Sequence, residues 1–551
     1  MRATMMDTPL TITEILRYGT TAYRDQEVVT ATQAAGAAGG VRRRTYRAVG
    51  TRAARLAGAL RSLGITGDQR VATLMWNNAE HLEAYLAIPS MGAVLHTLNL
   101  RLDPAVIGYI ADHAGDDVVI VDATLVPLLA SVLPHAPAIR HIIVSNPDET
   151  DFAPPPELTT HGRELHSYEQ LLAGQLDGFE WPEIEERSAA AMCYTSGTTG
   201  HPKGVVYSHR SMHLHSMAVA MGNVFGLSDR DKVLPVVPMF HANAWGLPYA
   251  AVMAGASLIM PDRFLQPPAV AALIEAERPT LAGAVPTIWN GLLQHVRANG
   301  GDLSSLRLVP CGGSAVPHAL QEAYQKELGV TIMQAWGMTE TSPLGSVARP
   351  PDGLPDEEAW HYRDTQGRLI VDVEGRLVGE GATVLPNDGV AVGEVEVRGP
   401  WVTGSYYKDD DPDKFREGWL RTGDVGTIDP LGYVTLTDRA KDVIKSGGEW
   451  ISSMELENAL MAHPKVAEAA VIGVPDERWG ERPLATVVRA SDSEVTAAEL
   501  RAFLAERVPR WQLPERWSFI TEVPKTSVGK FAKTIMRDAY ARGDYEIVEA
   551  R

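Results

Sequence analysis

Short apolar runs alternate with helix-period stretches through the first half of the chain, and that alternation predicts its architecture. Thr45 stands where it can cap a helix whose apolar face is Val49, Ala53, Leu56, Leu60 and Leu63, with Gly64 to end it. Apolar runs then recur at 71–76, 118–121, 142–144, 189–194, 257–260, 281–285 and 306–309. Helix-period stretches such as Ala269–Glu277 and Thr287–Ala298 separate several of them. Short buried strands interleaved with helices imply parallel-rich sheets covered on both faces.

Around Gly393 the pattern changes. Glu394-Val395-Glu396-Val397-Arg398 and Tyr433-Val434-Thr435-Leu436-Thr437 alternate strictly, predicting a small half-exposed β unit over about 385–438. After about residue 440 a new pattern starts, with helices expected at Ser453–His463 and Ala497–Val508 and from Lys530. Strands are expected at Ala469–Val474 and Leu484–Arg489 and near Trp517–Ile520. The predicted fold class is α/β. A large N-terminal lobe, 1–438, of helix-flanked parallel-rich sheets plus the β unit precedes a small mobile α+β C-terminal domain, 439–551. The charged stretch 438–442 is the expected hinge.

Composition narrows the function classes. The 551 residues carry 50 Lys+Arg against 69 Asp+Glu, a net charge of −19, so the long-range field repels polyanions and argues against nucleic acid as a partner. An anionic substrate would need cationic side chains gathered locally. Two cysteines, Cys193 and Cys311, make no disulfide framework and suit a reducing compartment. With no secretory pattern at the start, a cytoplasmic protein is expected. From Val233 to Met260 there is no Asp, Glu, Lys or Arg, but Pro235, Pro238, His241, Asn243, Gly246 and Pro248 make an integral membrane segment a poor reading. A loop, helix and strand buried in an α/β core is expected there instead. The basic triplet Arg42-Arg43-Arg44 after the Ala/Gly-rich 34–40 is expected to follow a mobile loop, with a weak case for a polyanion site.

The chemistry concentrates in Tyr194-Thr195-Ser196-Gly197-Thr198-Thr199-Gly200-His201-Pro202-Lys203-Gly204, wedged between two apolar runs. Small residues let backbone N–H groups approach an oxyanion, hydroxyls add donors, and Lys203 adds a positive charge. The spacing is not that of a Walker A loop. His209, His213 and His215 lack metal-site spacing with Glu or Cys, so no zinc is expected there.

The segment resembles the phosphate loop of the adenylate-forming superfamily, and the family's other signatures follow in order. They are Gln334-Ala335-Trp336-Gly337-Met338-Thr339-Glu340-Thr341, Arg421-Thr422-Gly423-Asp424, Asp438 to Glu449, and Pro524-Lys525-Thr526-Ser527-Val528-Gly529-Lys530. The chain most resembles bacterial medium- and long-chain fatty acyl-CoA synthetases. That resemblance implies two half-reactions: a carboxylate attacks the α-phosphorus of ATP to give acyl-adenylate and pyrophosphate, then the CoA thiol displaces AMP. It implies a small-molecule acid, ATP and CoA as substrates, Mg2+ as the ion, and admits a homodimer.

It also assigns roles. Lys530 is implied as the catalytic lysine bridging carboxylate and α-phosphate, with Glu340 and Thr195 as the magnesium pair, a hard-oxygen set suited to that ion. Thr195, Ser196, Gly197, Thr198, Thr199, Gly200 and Lys203 would cradle phosphates. Asp424 would accept both ribose hydroxyls, with Arg439 and Lys441 beside it. Trp336 would face adenine, between Gln334, Ala335, Gly337 and Thr339 on its own strand and loop and Gly312, Gly313 and Ser314 opposite. His241 would orient the carboxylate, and Trp245 would gate the acyl tunnel. Lys445 and Trp450 would lie near the nucleotide, and Gly447-Gly448 would admit pantetheine once the hinge turns. The stretch 369–381 departs from the family pattern, which puts the wall near the nucleotide in question. An alternative keeps ATP activation but changes acid or acceptor, as in diazotase-type relatives that pass nitrite to an aromatic amine or relatives that load carrier proteins.

Overall fold

The computed structural model describes the chain except residues 2, 33–39, 148–151, 160–161, 196–200, 410, 440, 448, 491–492, 527–528 and 551, and the side chain of Trp450. The Thr45 hydroxyl accepts the Ala48 amide, and the helix Tyr46–Ser62 that it caps buries Val49, Ala53, Leu56 and Leu60. The capping and the 3.6-residue apolar spacing thus act together.

Among the described residues there are four sheets. A seven-stranded sheet runs in the order Glu164–Ser167, His141–Ser145, Asp116–Asp122, Arg70–Leu74, Val94–Thr97, Ala189–Tyr194, Gly204–Ser208. It is parallel except for its last pair, Ala189–Tyr194 with Gly204–Ser208, so the loop between these two strands is a hairpin. A five-stranded sheet is built from Leu281–Gly283, Lys232–Pro235, Ser257–Met260, Glu27–Ala31 and Val41–Thr45. The charge-poor 233–260 folds as a strand, a short helical turn, the helix Leu247–Ala254 and a strand, all within the core. Among the described residues, no helix is long and apolar enough to cross a membrane.

Arg42, Arg43 and Arg44 belong to the edge strand Val41–Thr45. Their guanidinium groups are engaged by carboxylates: Arg42 and Arg44 by buried Glu80, Arg44 also by Glu83, and Arg43 by Glu277. The triplet is thereby neutralised at home, and the weak case for a polyanion site gives way to an internal ion network. The β unit expected from about 385 is part of a longer sheet. Strands from Val309–Gly312 through Ile332–Gly337, Leu344–Val347 and Gly367–Leu369 continue into Tyr433–Arg439, Trp419–Ile428, Gly393–Arg398 and Glu374–Val378. Periodicity missed this continuity because the early strands are buried and do not alternate.

Beyond residue 443 a separate sheet forms around the long antiparallel pair Val466–Asp476 and Gly480–Arg489, with Arg516–Phe519 parallel to the latter. Helices Ser453–Met461 and Ala497–Ala505 pack on it, with Leu500 and Trp517 in one apolar cluster and Ile472 and Leu484 in another, both formed by this domain's own residues. The last helix is Lys533–Arg542, beginning three residues after Lys530.

Candidate active site

A cavity of about 580 Å³ opens where the ends of the hairpin, the mixed sheet and the C-terminal domain meet. Its walls bring together Thr195, Lys203, His241, Trp245, Gly312, Gly313, Ala335, Trp336, Gly337, Thr339, Glu340, Arg439, Lys441 and Lys530 of the sequence-derived set. That volume suits a nucleotide with part of a small acid.

The hairpin is pinned at its neck. The Thr195 amide donates to the Lys203 carbonyl at 2.9 Å, and the Lys203 amide to Thr195 Oγ1 at 3.0 Å. Ser196, Gly197, Thr198, Thr199 and Gly200 lie outside the described residues. Lys203 does not stand as an unpaired charge: its ammonium pairs with Asp411 at 2.6 Å and Asp409 at 3.3 Å, and these bonds raise its pKa. Both acids line the cavity, as do Lys414 and Tyr406. Sequence reasoning missed all four: Asp409, Asp411 and Lys414 because Lys408 to Lys414 reads as a solvated charge run, and Tyr406 because it belongs to none of the motifs. The pairing becomes visible only when 409–414 folds back over the hairpin.

The opposite wall depends on close backbone approach. A Cβ on Gly312 would stand 2.5 Å from the Ala335 carbonyl, and one on Gly337 would overlap the Pro343 carbonyl, so no side chain fits at either position. Trp336 is buried and donates its indole N–H to Asp424 Oδ2 at 2.8 Å. Asp424 Oδ1 meets Arg439 at 3.1 Å across the antiparallel pair in which the two residues are direct partners. Gln334 spends its amide on the backbone, accepting from Val316 and donating to Thr365, so it supports the wall of the adjoining cleft instead of facing the smaller cavity. Asp424 and the exposed Ser314 also line that cleft. Glu340 is buried, with Oε1 held by the Tyr406 hydroxyl at 2.6 Å. Among the described residues it has no salt-bridge partner, which leaves a buried carboxylate available to a cation.

Lys530 is delivered by a tight turn. The Thr526 amide donates to the Lys530 carbonyl at 2.7 Å, the Lys530 amide returns to Thr526 Oγ1, and Gly529 takes φ +81. The turn rests on Val285 and Thr287 of the N-terminal lobe, and the lysine chain lies against Gly313. Burial, with Arg439 and Lys441 adding to it and Asp424 and Glu340 opposing, lowers the ammonium pKa to about 8. Burial first, and then the positive charges of Lys530 and Arg101, lower the His241 pKa to about 3, so the imidazole is neutral. Lys414 and Lys441 are lowered as well, chiefly by burial. A strongly acidic chain thus concentrates Lys203, Lys414, Arg439, Lys441 and Lys530 around one cavity, a site arranged for several negative charges.

Trp245 is 9% exposed and sits within a run of left-handed residues: Ala242, Asn243, Ala244, Trp245 and Gly246 have φ between 43° and 73°. L-residues visit that region singly as a rule, so four in succession before Gly246 mark a locally strained segment on the cavity wall.

Other expected residues stand apart. Lys445 is exposed, with its amide donating to Glu481, and Gly447 is packed against Trp479, its amide donating to the Trp479 carbonyl at 2.8 Å. Neither lines either cavity. Gly448 is outside the described residues, as is the Trp450 side chain. The stretch 369–381 contributes nothing to the cavity walls; Asp372 and Glu374 face a different groove. His209, His213 and His215 bond backbone groups: the Ile12 amide, the Thr11 carbonyl and the Leu344 amide.

The two lobes are joined at Asp438. Its carboxylate accepts the Ser453 amide at 2.7 Å and the Ser453 hydroxyl, while Lys533 donates to Ser453 Oγ at 2.6 Å and pairs with Glu457 at 2.8 Å.

A family model described as AMP-binding enzyme matches residues 20–407, and one described as AMP-binding enzyme C-terminal domain matches 455–530. The chain is similar to the 3-methylmercaptopropionyl-CoA ligase of Ruegeria pomeroyi, 42% identical over 98% of this chain and 99% of the relative. It is similar to the long-chain-fatty-acid–CoA ligase of Thermus thermophilus, 43% identical over 98% of this chain and 97% of the relative. The crystal structure of the anthranilate CoA ligase AuaEII with anthranoyl-AMP superposes with a TM-score of 0.86 at 26% identity, covering 99% of this chain and 100% of that one.

Proposed function

The chain belongs to the AMP-binding enzyme family, and from that premise we propose that it is an AMP-forming acid–thiol ligase. It joins a carboxylic acid to AMP at the expense of ATP and passes the acyl group to CoA. The observation that carries this reading is the Lys530 ammonium group lying in the same cavity as Glu340, Arg439, Trp336 and His241. Bringing a carboxylate against a triphosphate is opposed by like-charge repulsion, and a buried ammonium group offsets that repulsion most strongly where water is excluded.

The residues divide the work. Trp336 and the bare backbone at Gly312 and Gly337 form a slot for a flat base. Asp424, steadied by Trp336 and Arg439, accepts ribose hydroxyls. Lys203, held by Asp409 and Asp411, meets the phosphates at the hairpin. Mg2+ accompanying ATP would be held by Glu340 and Thr195 and would neutralise phosphate charge. Lys530 draws the acid and α-phosphate oxygens together, while neutral His241 orients the carboxylate without carrying charge of its own. Trp245 borders the acyl end, and the relatives' substrates support a medium- or long-chain or thioether-bearing acid.

The chain is divided as 1–438 and 439–551, with the pivot at 438–442. A pyrophosphate-release screen over straight-chain acids of two to eighteen carbons, methylthio acids, aryl acids and nitrite, with and without CoA, tests the reading. Release with an alkyl or thioalkyl acid followed by CoA-dependent AMP formation is expected. Turnover only with nitrite and an aromatic amine would sink it.

A further inference from the structure

His141 opens the strand His141–Ser145, and Glu164 and His166 lie on its neighbour Glu164–Ser167, the parallel edge of the seven-stranded sheet. The register sets His141 opposite Glu164 and Ile143 opposite His166, so all three side chains leave the same face of the sheet. His141 Nδ1 stands 3.4 Å from His166 Nε2 and 3.4 Å from Glu164 Oε2, and the last two atoms are 3.9 Å apart.

Those separations are long for hydrogen bonds, which favour about 2.7–3.2 Å. They match the edges of a metal coordination polyhedron. A point equidistant from the three atoms lies about 2.1 Å from each, the length of a Zn–N or Zn–O bond. From this geometry we infer that His141, Glu164 and His166 form a binding site for a divalent transition metal of the Zn2+ class. Two imidazoles and one carboxylate select such an ion over Mg2+ or Ca2+, which take oxygen donors. His141 is buried and His166 partly so, while Glu164 is 70% exposed, so one side of the triangle is open and water completes the set. None of the three lines either nucleotide-facing cavity. An ion held there would lie apart from the nucleotide-facing cavities and would tie the edge strand Glu164–Ser167 to its neighbour His141–Ser145.

The test uses the full-length protein without a purification tag, stripped with a chelator and titrated with Zn2+ by calorimetry. One Zn2+ per chain is expected, with a rise in Tm. His166→Ala and Glu164→Gln should each weaken binding at least tenfold and abolish that rise. Co2+ should give the ligand-field bands of a four-coordinate ion in the wild type and lose them in His166→Ala. Both variants should retain ATP–pyrophosphate exchange, which shows that they are folded. Failure of the wild type to bind Zn2+, or undiminished binding by either folded variant, overturns the assignment.

Discussion

At Lys530, burial and the neighbouring Arg439 and Lys441 bring the ammonium pKa from its usual value near 10.5 to about 8. The charged form, which adenylation needs, is complete below that value and is lost as pH rises through it. The kcat/KM for ATP in pyrophosphate release should therefore show a descending limb near pH 8, since that ratio reports the free enzyme. Lys530→Arg, which cannot deprotonate in this range, should carry its residual rate without that limb. A second residue-scale expectation concerns Trp336. Its indole is the donor for Asp424 Oδ2, so Trp336→Phe leaves a buried acceptor without that partner. The cost should be about 1–3 kcal/mol in urea unfolding, with a raised KM for ATP. Both residues were legible in the sequence through their motifs. Asp409 and Asp411 were not, because a carboxylate's partner is a fact of tertiary folding and their local pattern is that of a solvated turn.

Among the elements, the left-handed turn at Ala242–Gly246 deserves a direct probe. A Cβ at Gly246 would stand 2.6 Å from His215 Nδ1, at φ +73. Gly246→Ala should therefore cost about 1–3 kcal/mol. If Trp245 gates the acyl site, the variant should change KM for the acid and leave KM for ATP near wild type. Unchanged acid preference across chain lengths would separate Trp245 from any gating role. The sequence marked this stretch as buried and charge-free, and the helix and strand flanking it were legible from apolar runs. Its handedness was not, since Asn243 and Gly246 favour positive φ but Ala242, Ala244 and Trp245 give no such signal. In the same way, the strand at Val309–Gly312 was read three residues early, because Leu306 to Val309 is more apolar than the Pro-Cys-Gly that forms its end.

For the whole molecule, the order of domains and their α/β and α+β characters followed from periodicity, and the site followed from ordered motifs spread over both lobes. What sequence could not supply was their relative posture. The structure sets Lys530 on the cavity and leaves Gly447 against Trp479, outside it. If one posture cannot serve both a lysine on the α-phosphate and a thiol approaching the same centre, a turn of the C-terminal domain between half-reactions is the expectation that two separate assays test. Lys530→Ala should cut pyrophosphate release at least about a hundredfold. It should still convert synthetic acyl-adenylate and CoA to thioester at a rate near wild type. Equal loss in both assays would mean that the lysine holds the fold rather than the first step.

The Asp438–Ser453 contact gives that turning a clock. Asp438 belongs to the N-terminal lobe's strand and Ser453 to the C-terminal domain's helix, and Lys533 and Glu457 are fastened to the same serine cluster. A swing of the small domain away from the larger lobe would break the Asp438 bond to Ser453 and leave the Ser453–Lys533–Glu457 contacts, which lie within that domain, intact. That one bond would then set the fraction of each cycle spent in the lysine-engaged posture, although Ser453 lines neither cavity. Ser453→Ala should shorten the dwell in that posture, as read by single-molecule fluorescence between dyes on the two lobes, and so shift the duty cycle toward thiolysis.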